Sequence, residues 1–258
     1  MHFPGRKTTN VSIPGAGRTA DSGHVPAIEM IDVCRGAGID RLSLVVEQGE
    51  IFGLFGPPGS GKTTIINLLR GSMVPRSGKI KVLGYDLANP GRPMQHLFGV
   101  ASRTDPNIPD EVHTAYEHLR LHANLLGLPA WQHRERITRT LAEVQLASYD
   151  NICVQAFSCA MKCRLAIARA LLPDSSLLYI DEPTAGIDGQ AQQAIWHDLY
   201  QIRTSGKTIV LATCDWEEAQ TLCNRLAILN RGKLQPFVSS SVGPAGLAWE
   251  ERYLLPGK

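Results

Sequence analysis

Gly56-Pro57-Pro58-Gly59-Ser60-Gly61-Lys62-Thr63-Thr64 stands between a short apolar run, Ile51 to Phe55, and the apolar stretch Ile65-Ile66-Asn67-Leu68-Leu69. The spacing predicts a strand that delivers a glycine-rich turn into a helix. In the pattern G-x-x-x-x-G-K-T, small residues let successive backbone N–H groups curl round an anion at the positive end of a helix. Lys62 is then placed to reach the β- and γ-phosphates of a nucleoside triphosphate, and Thr63 to offer its hydroxyl to Mg²⁺. Glycine-rich turns also join strands to helices without any ligand. The full pattern in a strand-loop-helix context favours phosphate over that simpler use.

A second signal lies far along the chain, where the apolar run Leu177-Leu178-Tyr179-Ile180 ends in Asp181-Glu182. Two carboxylates at a strand end are, taken alone, an ordinary solvated corner. Beside a phosphate-binding loop they acquire chemical roles: Asp181 holds the Mg²⁺ shell and Glu182 accepts a proton from the attacking water.

Between and around these motifs the pattern alternates. Ile28–Val33, Leu42–Val46, Ile51–Phe55 and Lys79–Leu83 read as strands and are expected to form a small antiparallel sheet beside the nucleotide. The period then becomes helical: Tyr116, Leu119, Ala123 and Leu126, then Trp131 to Leu146, predict an α-helical insert of residues 104–164. Strand-helix alternation resumes with Leu177–Ile180, the helix Gln190–Ile202, the β-branched run Thr208–Ala212, the helix Trp216–Cys223 and the strand Leu226–Leu229. The expected fold class is α/β, a P-loop NTPase core of mostly parallel sheet flanked by helices, with a small antiparallel β subdomain and the helical insert. Residues 1–25 and 237–258 are expected as tails around one domain at 26–236, the first of them poor in apolar anchors and so flexible.

Composition narrows the function. The 258 residues carry 26 basic and 24 acidic side chains, no basis for a surface that binds nucleic acid. No apolar window is long enough to span a bilayer and no signal-peptide pattern opens the chain, so a cytoplasmic location is expected. Six scattered cysteines suggest reduced thiols in a reducing compartment. Cys159 and Cys163 lie four apart on an expected helix, but two thiols do not make a four-ligand zinc site. His113, His118 and His122 show no metal-ligand spacing and are expected on the surface of the insert.

From Ile28 to Leu234 the text resembles the ATP-binding subunit of an ABC transporter. The resemblance rests on the phosphate loop, on Val74-Pro75-Arg76-Ser77-Gly78-Lys79-Ile80-Lys81-Val82-Leu83-Gly84-Tyr85-Asp86, on Ala168-Arg169-Ala170-Leu171-Leu172 and on Asp181-Glu182-Pro183-Thr184-Ala185-Gly186-Ile187-Asp188. Glu217-Glu218-Ala219 and Asn224-Arg225 are similar to subunits that serve drug, sodium or lipid-linked exporters of the ABC-2 kind. The resemblance implies a subunit on the cytoplasmic face of the membrane that binds and hydrolyses Mg-ATP. It would drive a separate integral membrane subunit docked against the helical insert, and work as a homodimer or as a heterodimer with another ATP-binding subunit. In this family a partner's Leu-Ser-Gly-Gly signature completes each ATP site, so Ser158 would reach the partner's ATP and Asp188 would lie at the dimer contact.

The departures from the family pattern matter as much. The signature aligns with Phe157-Ser158-Cys159-Ala160-Met161, where side chains occupy both glycine positions and obstruct close backbone approach to phosphate. The glutamine that follows the fifth strand aligns with Arg103, and the switch histidine with Cys214. The adenine-stacking aromatic expected near Val33 or Cys34 is missing. Arg103 has two readings, a guanidinium that stabilises γ-phosphate charge or one that faces solvent or an acidic partner. Cys214 also has two readings, a redox-sensitive thiol near the nucleotide or, the favoured one, a buried and inert cysteine. These changes keep open an alternative: a nearly inactive, nucleotide-gated subunit of a heterodimeric complex. A soluble ATPase of translation or DNA repair fits less well, because no second cassette, coiled coil or zinc module is visible.

Overall fold

The structure is a computed structural model and describes residues 25–36, 38–88, 97–102, 112–234 and 238–239. Nearly all of both expected tails, and Arg103, lie outside the described residues. Three apolar runs, β3 (Ile51–Phe55), β7 (Leu177–Asp181) and β8 (Thr208–Thr213), are buried on both faces almost throughout. Such strands can sit only in the middle of a sheet covered on both sides. They form it in the order β9-β3-β8-β7-β6, all parallel, with β6 (Phe98–Ser102) and β9 (Arg225–Asn230) at its flanks. The short strands β10 (Lys233–Leu234) and β11 (Val238–Ser239) pair antiparallel with β9, so one of these lies inside the span expected as a C-terminal tail.

A second sheet is antiparallel, in the order β2-β1-β4-β5. It consists of β1 (Ile28–Arg35), β2 (Ile39–Val46), β4 (Ser77–Val82) and β5 (Tyr85–Asp86). Ile51–Phe55 does not join it, contrary to the sequence expectation. The reason is in the pattern: β2 alternates buried and accessible residues along a half-exposed face, whereas Ile51–Phe55 has no polar face to show. The two-residue strand β5 is too short to carry a periodic signal.

Helices cover the parallel sheet. On one side, α1 (Lys62–Leu69) places Ile65, Ile66, Leu68 and Leu69 into the core shared with the antiparallel sheet. On the other, α2 (Ala115–Leu125), α3 (Ala130–Glu143), α4 (Cys159–Leu171), α5 (Gly189–Thr204) and α6 (Trp216–Leu222) contribute to one apolar cluster. A capping box starts α2: the Thr114 hydroxyl accepts from the Glu117 N–H at 3.2 Å, and the Glu117 carboxylate accepts from the Thr114 N–H at 3.0 Å. Gly99 of β6 lets α4 lie directly on the sheet, since a Cβ there would overlap the Ala170 carbonyl.

His118 corrects an expectation. It lies on the inner stripe of α2 with Ala115, Leu119 and Ala123 and is buried, not on the surface of the insert. Desolvation, reinforced by the nearby Arg169 guanidinium, pushes its imidazole down to about 4, so it is neutral in the folded chain at neutral pH.

Candidate nucleotide site

The parallel register sets the carboxyl ends of the central strands side by side. Phe55 pairs with Thr213, Asp181 with Ala212, and Ser102 with Asp181. The loops that leave these ends share the edge where open α/β sheets bind ligands. The loop after β3 turns sharply through Gly59 (φ 77°) and Gly61 (φ 110°), left-handed conformations that a Cβ would oppose. Gly61 is the N-cap of α1, and no acidic residue stands in the first turn to compete with an anion there. The loop is braced from outside: the Gly56 N–H donates to the Thr213 carbonyl, and the Gly232 N–H to the Ser60 carbonyl at 2.9 Å.

Lys62 turns back into this loop, 5% exposed. Its ammonium donates to the carbonyls of Gly56 at 2.6 Å and Pro57 at 3.3 Å and lies 3.2 Å from the Glu182 carboxylate. The next residue, Thr63, donates its hydroxyl to Asp181 Oδ2 at 3.0 Å. Asp181 is 9% exposed, and its other oxygen, Oδ1, is buried with no hydrogen-bond partner. Burial raises this carboxyl above the usual carboxylate range; the Thr63 hydrogen bond opposes the shift and the Glu182 charge adds to it. A buried carboxylate with a spare oxygen, joined to a threonine hydroxyl beside a phosphate loop, fits the oxygen donor set that Mg²⁺ takes.

Glu182 is held in the left-handed region (φ 49°), unfavourable for a residue with a Cβ, and its N–H donates to the Ala212 carbonyl at 2.9 Å. One carboxylate oxygen faces Lys62. The other accepts from the Cys214 N–H at 3.2 Å and from the Cys214 thiol at 3.3 Å. Cys214 is exposed, contrary to the sequence expectation of a buried, inert cysteine. It begins the turn after β8 instead of continuing the strand, so it projects past the last buried residue, Thr213. Partial desolvation and the facing Glu182 carboxylate raise the thiol, which keeps it protonated and able to donate.

The remaining predicted residues have local duties. Ser158 caps α4 by accepting from the Met161 N–H, and Asp188 caps α5 by accepting from the Ala191 N–H. Neither is joined to the Lys62–Asp181 cluster by a hydrogen bond or ion pair among the described residues. Cys159 and Ala160 occupy the first turn of α4, Cys159 exposed. Val33 is buried in β1 and Cys34 half-buried, and neither offers a ring for stacking. No motif in the sequence marks the polar network of Thr184, Gln192, Trp196 and Glu218, of which Thr184 lies two residues after Glu182. Glu218 entered the reading only through family text, and no spacing rule singles it out.

The fold and the contents of its carboxyl edge define a phosphate-loop α/β domain with a carboxylate pair opposite the loop. The chain belongs to the ABC transporter family, whose pattern matches residues 39–185. It is 38% identical over 195 residues to Nod factor export ATP-binding protein I of Cupriavidus metallidurans, an alignment covering 76% of this chain and 64% of that protein. It is 37% identical over 225 residues to the protein of the same name from Rhizobium etli, covering 86% of this chain and 71% of that one. The chain thus spans about two thirds of the length of these curated relatives. Among solved structures, an ATP-binding subunit of an ABC transporter superposes with a TM-score of 0.70 at 30% identity, covering 83% of this chain and 90% of that one. A nucleotide-free ATP-binding cassette from an ABC transporter, at 18% identity and a TM-score of 0.73, shares the fold.

Proposed function

We propose that the chain is the ATP-binding subunit of an ABC exporter: it binds Mg-ATP on its own phosphate loop, hydrolyses it, and drives a separate membrane subunit. The observation that carries the reading is the contact chain Thr63–Asp181 and Lys62–Glu182 around the loop, with one buried Asp181 oxygen left over. The loop N–H groups and Lys62 would hold the β- and γ-phosphates, Asp181 and Thr63 would hold Mg²⁺, and Glu182 would take the proton of the attacking water. A Mg²⁺ bound there would supply positive charge to the phosphate oxygens. Lys62 and the Cys214 N–H keep the Glu182 carboxylate oriented toward the loop. The relatives' names, which speak of export, support the direction of transport.

No helix among the described residues is long and apolar enough to cross a membrane. The family reading places this chain against a membrane partner on the cytoplasmic face. The helical insert, residues 104–164 in a domain of 26–236, is the proposed docking element. Head-to-tail dimerisation would bring the partner's Ser158 to each ATP and place Asp188 at the dimer contact. The test is steady-state Mg-ATP hydrolysis over a range of protein concentrations, with nucleotide binding followed in parallel. Turnover per subunit is expected to rise with concentration, as for a working dimer. Binding without hydrolysis at any concentration would favour the second reading, a nucleotide-gated partner of a more complete subunit, for which Cys159, Ala160 and Cys214 speak.

Those three positions make a direct comparison. The combined variant Cys159→Gly, Ala160→Gly, Cys214→His is expected to raise kcat, because one preorganised donor at a charge-developing site is worth about 10²- to 10³-fold. Unchanged kcat in the folded triple variant would show that the rate is limited elsewhere.

A further inference from the structure

Behind the carboxylate that faces the phosphate loop lies a second, buried carboxylate that the proposed chemistry does not use. Glu218 of α6 is 1% exposed. Its Oε1 accepts from the Thr184 hydroxyl at 2.7 Å and from the Trp196 indole N–H of α5 at 3.0 Å. The Thr213 hydroxyl at the end of β8 also hydrogen-bonds its carboxylate. Thr184 and Thr213 are themselves buried, at 3% and 0%. Desolvation of this site raises the Glu218 carboxyl, and the three donors oppose that shift.

The donors are not randomly placed. Thr184 lies two residues after Glu182, and Thr213 immediately precedes Cys214, the residue that donates twice to Glu182. The same turn is tied a second time: the Asp215 N–H donates to the Thr213 hydroxyl, and Asp215 accepts from the N–H groups of Glu217 and Glu218 and from the Gln192 amide at 2.7 Å. Gln192 also donates to the Thr184 hydroxyl at 3.3 Å and stands four residues after the α5 cap, Asp188. One buried carboxylate therefore joins the segment after β7, the turn after β8, and the helix that follows Asp188.

Resting on the ATPase reading above, we infer that Glu218 is a positioning residue for the hydrolytic site: it fixes the 184 segment against the 213–215 turn, and so fixes Glu182 against Cys214. At 1% exposure it is enclosed, and the role assigned to it is positional. Its effect passes through two buried threonines, and a shift of the base by a fraction of a bond length is enough to slow proton transfer. Polar networks in a buried setting act as a unit, so losing the common acceptor releases all three donors together.

The test uses the full chain and two variants. Glu218→Ala removes the acceptor; Glu218→Gln keeps one acceptor oxygen on a side chain of equal length. Each is assayed for kcat, for Mg-ATP affinity, and for iodoacetamide labelling of Cys214 quantified by peptide mass spectrometry. The exposed Cys153 and Cys159 serve as internal references. Glu218→Ala is expected to lower kcat on the order of 10- to 100-fold while nucleotide affinity holds. Cys214 labelling should accelerate severalfold relative to both references, and Glu218→Gln should recover part of each loss. Unchanged Cys214 labelling in Glu218→Ala overturns the inference, as does a fall in kcat matched by an equal loss of affinity. If Glu218→Ala does not fold, Glu218→Gln decides: labelling and kcat equal to wild type overturn it. A wild-type chain that binds nucleotide without hydrolysis defeats the ATPase reading, and the labelling ratio still decides the placement of the turn.

Discussion

Glu182→Gln will keep its nucleotide and lose turnover, by about 10²- to 10⁴-fold in kcat, the range that a positioned general base supplies. The amide has the shape of the carboxylate and can sit in the same left-handed backbone position (φ 49°) without disturbing the Ala212 hydrogen bond. What it cannot do is accept a proton. It also loses the charge that faces Lys62 at 3.2 Å, which leaves that ammonium freer to turn to phosphate, so affinity should hold or increase. Single-turnover hydrolysis beside equilibrium binding separates the two effects. A variant that hydrolyses as fast as wild type would remove Glu182 from the chemistry and point to another base.

Lys62→Ala has the opposite signature. A charged hydrogen bond is worth about 1.5–3 kcal/mol, so loss of the ammonium should weaken Mg-ATP binding by roughly 10- to 100-fold. Hydrolysis, and any ATP-dependent dimerisation, should disappear with it. Part of the cost is internal: Lys62 spans the Gly56 and Pro57 carbonyls and Glu182, so its truncation strips the loop of a brace as well as a charge. Titration of nucleotide onto the purified variant reads the result. Unchanged affinity would sink the assignment of residues 56–64 as the phosphate site.

The two motifs that meet at this edge were legible in the sequence because each depends on local order. Gly59 and Gly61 announce a left-handed turn, and an apolar run that stops at Asp181 announces a strand end. Their approach across more than a hundred residues follows from parallel pairing alone. Helix positions were equally open to reading, since α2, α3 and α5 carry apolar stripes at helical spacing. What remained hidden depended on partners distant in sequence. Ile51–Phe55 pairs with strands more than 150 residues away, whereas its sequence neighbours form the antiparallel sheet. Residue type alone puts a histidine at the surface, whereas the position of His118 on the stripe with Ala115 and Leu119 puts it inside. Asn224-Arg225 entered as family text, yet both residues do structural work. The Asn224 side chain accepts from the Ile51 N–H at 2.8 Å, while Arg225 pairs with the buried Glu50 at 3.0 Å and lies over the Phe52 ring. No periodicity could show that, and none could show Glu218 gathering three donors.

The exposure of Cys159 and Cys214 bears on how such a chain can diverge. Two of the residues that depart from the family pattern, Cys159 and Cys214, are exposed, so a change of side chain there leaves no cavity. Lys62 and Asp181, by contrast, are enclosed, and their loss would disturb packing as well as chemistry. On the ATPase reading, substitutions at these two positions would retune hydrolysis while leaving the folded body intact. Specialisation of this kind carries little risk of unfolding, and one ancestral engine can diversify in pace without being rebuilt.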